Sequence, residues 1–371
     1  MQHKTPTRSG PRPLWLHLNA TVAMMASLSD TKEMFTASSN ILCEALHGVE
    51  QYHNSPVKPF HRPMTVVAKH NGTSLLTAQE WQDDTVVVLI PSLINRWGIF
   101  DIEADHSFAA SLCMSGLSPV IVDWAEPDAK NISLNDYITD HLKPLIMQLI
   151  ESGKTVQGLI GYCMGGTIIA ALLSAYPELK DKTGSHILIA PPWDFSYQTP
   201  DQKMRLQGMG MQTYAMASPV PTDFVQSLFW AIDPLQVIKK FRRFPDIANP
   251  ERFVRVEDWL NEGRQVSLSV IQTCLFDWYR DNEIMDGRWC VNNVPVKADS
   301  LGKDVLIAGG LRDNLVPSAS FKPLLNNLKN AQYVTVDTGH IGLMASDKSR
   351  KALWKPIADF LKKSNVVKNN K

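Results

Sequence analysis

Six short runs of β-branched and apolar residues recur along the chain, at 85–90, 119–122, 156–160, 186–189, 305–308 and 333–336. Unbroken runs of this kind, each stopping at a loop, are the pattern of parallel strands buried on both faces. Segments with helical spacing lie between most of them. This β-then-α alternation predicts a mainly parallel central sheet with right-handed crossovers and helices on both faces. Chemistry in such sheets collects at the carboxyl ends of the strands.

The rhythm breaks once. Residues 191–300 separate the fourth run from the fifth, and we read them as a lid inserted into the sheet domain. The segment holds Trp193, Trp230, Trp259, Trp278 and Trp289 together with Met204, Met209, Met211, Met216 and Met285. Tryptophan and methionine pack adaptably around apolar matter. Two readings stay open here, an ordinary helical subdomain with its own core and a lining for substrate.

Ahead of the sheet, residues 14–51 have helical character, and Pro56, Pro59 and Pro63 lead into two strand-like segments at 65–69 and 74–78. Lys4, Arg8 and Arg12 precede the apolar stretch 14–28 and so imitate a secretory signal. His17 and Asn19 interrupt that stretch, and Pro11 and Pro13 stand at its entrance, so the expectation is a disordered arm running into an amphipathic helix. The expected organisation is an arm and helical region over 1–63 and a catalytic domain over 64–371, with a frayed basic tail ending at Lys368 and Lys371. No run reaches the about 18 to 20 apolar residues of a membrane span.

Composition narrows the function. The 371 residues carry 37 basic and 37 acidic side chains, a formal net charge of zero. Bulk charge therefore gives no reason to expect nucleic acid or an anionic membrane as a partner. The five cysteines, Cys43, Cys113, Cys163, Cys274 and Cys290, are scattered and odd in number, which argues against a disulfide framework or a zinc site and fits a reducing cytoplasm. Neither a metal nor a cofactor is expected.

One cysteine stands apart. Gly161-Tyr162-Cys163-Met164-Gly165-Gly166 follows the run 156–160 and precedes the helical segment 167–176. This is the pattern of a nucleophile elbow, a sharp strand-to-helix turn flanked by small residues, with cysteine in the usual place of serine. The turn sets the thiol at a helix N-terminus, where the dipole favours negative charge. A buried, inert cysteine is the plain alternative. Against it, Asp313 and His340 follow the next two strand-like runs, in the acid-then-histidine order of the α/β-hydrolase fold. The expected triad is Cys163, Asp313 and His340, with an imidazole near neutrality as base and the carboxylate orienting it or taking a substrate proton. Backbone N–H groups of Met164 and of Leu93, or of its neighbour Ile94, are the expected oxyanion donors.

Further segments carry a resemblance. Pro91 to Asp101 resembles the P-x-x-I-N-x-x-x-I-x-D stretch of polyhydroxyalkanoate synthases. Val122 to Asp128 is similar to their D-W-x-x-P-D segment, Leu134 to Ile138 to their L-x-D-Y-I helix, and Pro192 to Phe195 to their P-x-D-F. The cysteine elbow, the 253–259 segment, the acid loop 311–317 and Gly339-His340-Ile341-Gly342 follow in the family's order. The resemblance implies polymerisation of (3R)-hydroxyacyl-CoA through a thioester on Cys163, with His340 activating the thiol and Asp313 the hydroxyl for chain extension. Coenzyme A thioester is then the substrate. A second synthase subunit, self-association and a polyester granule surface are the implied partners, since the short N-terminal region resembles the two-subunit synthases. Two departures stand out, Asn314 where the family commonly has histidine, and the unusual Pro59-Phe60-His61-Arg62-Pro63. A hydrolase with the same triad, a depolymerase or thioesterase, is the alternative, because water reaching the acyl-enzyme turns synthesis into hydrolysis.

Overall fold

The computed structural model describes residues 8–28, 32–127, 131–302 and 304–363. Lys4, Asp128 and the basic tail at 368–371 lie outside the described residues. The centre is an eight-stranded sheet. Its strands are β1 (Thr65–His70), β2 (Thr73–Thr77), β3 (Thr85–Ile90), β4 (Ser118–Asp123), β5 (Thr155–Tyr162), β6 (Ser185–Ile189), β7 (Val305–Gly310) and β8 (Gln332–Val336). They lie in the spatial order β1-β2-β4-β3-β5-β6-β7-β8. From β4 to β8 every neighbouring pair is parallel, while β2 runs antiparallel to both β1 and β4.

The six apolar runs all become strands; 85–90 keeps its bounds and the others are extended by one to three residues. β5 is central, between β3 and β6, and its last five residues are buried. The helix that follows it, Met164–Ala175, is buried at all twelve positions, as an all-round apolar helix must be. The crossover after β4 and the C-terminal helix Lys355–Lys363 cover the sheet further, and Gln157 donates to the Leu361 carbonyl at 2.7 Å.

The segment between β6 and β7 is helical, as expected of a lid: Pro200–Gln212, Thr222–Ile232, Gln236–Arg242, Pro250–Glu262 and Leu268–Gln272. Its tryptophans divide between the two readings. Trp193 and Trp289 are buried in the main core, Trp230 lines a cavity, and Trp259 and Trp278 do both, each buried in the core and bordering a cavity. Charged pairs fasten the lid to the body. Glu103 receives Arg252, and Arg255 at 2.9 Å, both from the helix Pro250–Glu262.

The N-terminal region does not form a separate body. Helix Lys32–His53 lies against Gln236–Arg242, and Val49 and Tyr52 share a small core with Val237, Phe241, Phe244 and Val254 of the lid. The expected disordered arm is also not what residues 8–13 form. Arg8 is buried, pairs with Asp258 at 2.8 Å and donates to the carbonyls of Ser55 and Val57, while Tyr52 donates its hydroxyl to the same Asp258 oxygen. The Arg12 N–H donates to Asn261. Charge pairing across long sequence separations, invisible to local pattern, ties this segment down.

The Pro59–Pro63 departure also finds a place. Arg62 lies over the Trp81 ring and donates to the buried Asp101 at 3.0 Å and to Glu80 at 2.8 Å. Asp101 is therefore a docking point for the segment ahead of β1.

Candidate active site

At the carboxyl end of β5 the chain turns sharply into its helix, and Cys163 occupies the turn with φ 55° and ψ −127°. A residue with a Cβ rarely adopts positive φ, so this conformation stores strain that the surroundings must hold. Its N–H donates to the Ile189 carbonyl at 2.8 Å and its carbonyl accepts from Gly166 at 2.9 Å. The neighbouring glycines are required by space. A Cβ at Gly161 would overlap the Gly165 backbone, one at Gly165 would overlap the Ile90 carbonyl, and one at Gly166 would come within 2.9 Å of Pro191. The N–H of Met164, in the first turn of the helix, has no helical partner and faces the nucleophile's end of the helix.

Asp313 and His340 come from loops zipped together at the ends of β7 and β8. Leu311 donates to the Val336 carbonyl at 2.8 Å and Arg312 to Thr338 at 3.0 Å. One Asp313 carboxylate oxygen accepts the N–H groups of Leu315 and Val316, at 2.9 and 2.8 Å. The other accepts from His340 Nδ1 at 2.7 Å. That leaves Nε2 as the atom with which His340 can serve the thiol, and both His340 and Cys163 line the same cavity. The imidazole stacks on Tyr162 at 5.1 Å between centroids, and the Tyr162 hydroxyl donates to the His340 carbonyl. The three residues singled out in the sequence thus meet.

The surroundings of both residues bear on these roles. Burial by itself would lower the pKa of His340, but the charges of Asp313 and Cys163 and the hydrogen bond to Asp313 raise it to about 10. Both neighbours thus favour the protonated imidazole over the neutral one. Asp313, in turn, does not line the cavity. Its loop neighbours Arg312, Asn314 and Leu315 do, and Asp313 is 3% exposed with both oxygens occupied. The substitution of Asn314 leaves the acid undisturbed, because its side chain turns away to Asp233 of the lid at 3.4 Å.

The loop after β3 forms the opposite wall. Trp124 donates to the Pro91 carbonyl at 3.1 Å and Trp259 to the Arg96 carbonyl at 2.7 Å, so a tryptophan from the body and one from the lid brace the loop at each end. Gln226 of the lid donates to the Leu260 carbonyl at 2.8 Å and reaches Asn95 at 3.5 Å. Ser92 and Ile94 face the cavity, and the Ile94 N–H is turned onto Ser92 Oγ at 3.2 Å. Leu93 is buried between them. Family motifs had flagged Asn95 and Trp124 by position, but their bracing contacts had no sequence signal.

Cys163 lies in the walls of two cavities. The larger, about 640 Å³, opens under the lid between Phe229, Trp230, Trp259 and the N-terminal residues Pro11 and Arg12. The smaller, about 70 Å³, is almost wholly apolar, with Phe195, Leu206, Ile271 and Leu275 among its walls. Cys274 also borders it, and burial, then the charges of Asp277 and Cys163, push that thiol up. Among the described residues no group of three His, Cys, Asp or Glu side chains is placed to hold a metal ion.

No family model matches the chain. The Poly(3-hydroxyalkanoate) polymerase subunit PhaC of Haloferax mediterranei is 29% identical over 319 residues, covering 80% of this chain and 63% of the relative. The subunit of the same name from Allochromatium vinosum is 24% identical over 288 residues, covering 74% of this chain and 80% of the relative. The chain is a relative of the polyhydroxyalkanoate polymerase subunits. It spans less than two thirds of the Haloferax polymerase subunit. A crystal structure of a hydrolase from Pseudomonas aeruginosa PA01 superposes with a TM-score of 0.51 at 12% identity, covering 80% of this chain and 98% of that one. The polymerase relative in hand thus has the α/β-hydrolase fold. Among its described residues no helix is long and apolar enough to cross a membrane.

Proposed function

We propose that this protein is an acyltransferase that polymerises (3R)-hydroxyacyl groups from coenzyme A thioesters through a thioester on Cys163. The supporting observation is that Cys163 lies in the walls of two cavities, with His340, held by Asp313, beside it in the wall of the larger. The names of the sequence relatives point the same way.

In this reading the Cys163 thiol gives its proton to His340, the resulting thiolate attacks the thioester carbonyl, the carbon–sulfur bond to coenzyme A breaks, and the departing thiolate takes the proton from His340. Negative charge on the carbonyl oxygen is met by the N–H of Met164 and, from the loop after β3, by that of Leu93. The hydroxyl of a second hydroxyacyl group then attacks the acyl-Cys163 carbonyl and gives its proton to the now neutral His340; the carbon–sulfur bond to Cys163 breaks, leaving an ester lengthened by one unit and the Cys163 thiolate beside the protonated imidazole. Asp313 acts on both steps through His340, since its own oxygens are occupied and screened from the cavity. No metal or cofactor takes part. The lid delays hydrolysis by keeping water from the acyl-enzyme.

The small apolar cavity accommodates a short acyl side chain and the larger one the carrier arm and growing polyester. A second synthase subunit, self-association and a cytoplasmic, granule-bound setting belong to the same proposal. The test is mass spectrometry of the protein after incubation with (R)-3-hydroxybutyryl-CoA, with free coenzyme A and product size measured in parallel. A ladder of hydroxybutyryl units on Cys163 that is absent in Cys163→Ala is expected. Free hydroxy acid as the sole product would replace the proposal with a hydrolase.

A further inference from the structure

The wall of the larger cavity is strongly asymmetric in charge. Arg12, Arg96, Lys239, Lys240, Arg243 and Arg312 line it, against a single carboxylate, Asp233. Some of these cations share their charge with neighbouring carboxylates, the Arg312 pair being exposed on both sides. Arg96 faces Glu126 and Glu262, Lys240 is held by Glu257 at 2.6 Å, and Arg312 meets Asp337 at 2.9 Å. Lys239 and Arg243 are different. They lie four positions apart at the end of the lid helix Gln236–Arg242, on one face, and both are exposed. Lys239 has only a loose contact with Asp233 at 3.6 Å, and Arg243 has no acidic partner within 4.0 Å among the described residues. Arg312 stands on the opposite, body side of the same mouth, one residue ahead of Asp313.

Charge of one sign at the mouth of a cavity whose inner end is apolar selects a ligand with an anionic head and a neutral tail. The protein as a whole is neutral, so this is a local feature and not a reflection of bulk composition. Resting on the reading above, we infer that Lys239, Arg243 and Arg312 form the subsite for the nucleotide phosphates of coenzyme A, with the pantetheine arm descending to Cys163. The subsite spans lid and body, so a bound nucleotide ties the two together across the opening.

The experiment compares kcat/KM for (R)-3-hydroxybutyryl-CoA with that for the corresponding pantetheine thioester, which lacks the nucleotide. Binding of adenosine 3′,5′-bisphosphate is measured separately by calorimetry on the full chain. The wild-type protein is expected to prefer the CoA thioester by a factor on the order of ten or more, and to lose that preference as salt is raised. In Lys239→Glu/Arg243→Glu the ratio should collapse towards one and bisphosphate binding should disappear. Lys351→Glu, an exposed change away from the cavity wall, is expected to alter neither. A wild-type ratio near one with no bisphosphate binding overturns the inference, as does a double variant in which ratio and binding survive. Bisphosphate binding without acyl transfer from either thioester would uphold the subsite and sink the acyltransferase reading. Acyl transfer with equal use of both thioesters would do the reverse.

Discussion

His340 is the residue on which the chemistry turns, and its proton is held by two neighbours of opposite kind. Asp313 orients Nδ1, while the thiol of Cys163 meets the other face. The consequence for pH has a definite sign. The folded pKa is raised above the ordinary 6.5 to about 10, so the stabilisation this pairing gives is fully present below about 6.5 and is lost as pH rises through about 10. Acylation of Cys163, followed by release of coenzyme A, should hold level across neutral pH and fall on an alkaline limb near 10. In Asp313→Asn the largest of the opposing charges is gone, and the limb should move to lower pH with a loss of rate of at least tenfold. An unmoved limb would remove Asp313 from the pairing. At this scale the sequence was highly legible: elbow, acid loop and histidine loop are contiguous motifs, each just after an apolar run. The protonation of His340 was not, because it depends on burial and on charges distant in the chain.

At the scale of elements, the strand-to-helix turn at β5 works only if backbone can touch backbone. Two glycines separate that requirement from ordinary helix propensity. Gly165→Ala would force a methyl group into the Ile90 carbonyl, and we expect a loss of about 1–3 kcal/mol together with misplacement of the loop after β3. Gly208, in the lid helix Pro200–Gln212, has nothing within 4 Å of a Cβ, and Gly208→Ala should stabilise by about 0.5–1 kcal/mol. Thermal unfolding of both variants decides the matter, and equal effects of the same sign would refute it. The strands and the 191–300 insertion were legible at this scale because burial on both faces leaves unbroken apolar runs. The division of the lid's tryptophans between core and cavity was not, since Trp289, buried in the core, and Trp230, on the cavity wall, differ in what they meet and not in their local pattern.

For the whole molecule, the catalytic cavity is closed by parts far apart in sequence: sheet loops, lid helices and the residues around Pro11 and Arg12. Arg8→Ala would leave Asp258 and the carbonyls of Ser55 and Val57 short of their common partner, at a cost of about 2 kcal/mol. Loosening that wall should also admit water. The variant is expected to melt earlier than wild type and to release a larger share of free hydroxy acid relative to polymer. An unchanged product ratio despite a lowered Tm would show that the N-terminal wall is structural only. None of this docking was visible in the sequence, which marked the same residues as a loose arm.

The pairing of Arg8 with Asp258 also orders events in time. The two residues are 250 positions apart. At a synthesis rate of about 5 to 20 residues per second, Arg8 waits roughly ten to fifty seconds for its partner to be made. A nascent chain long enough to fold its first five strands would therefore carry Cys163 on an uncovered sheet edge, without the acid and histidine loops that complete the site. Reactivity and enclosure both wait for residues made long after Cys163.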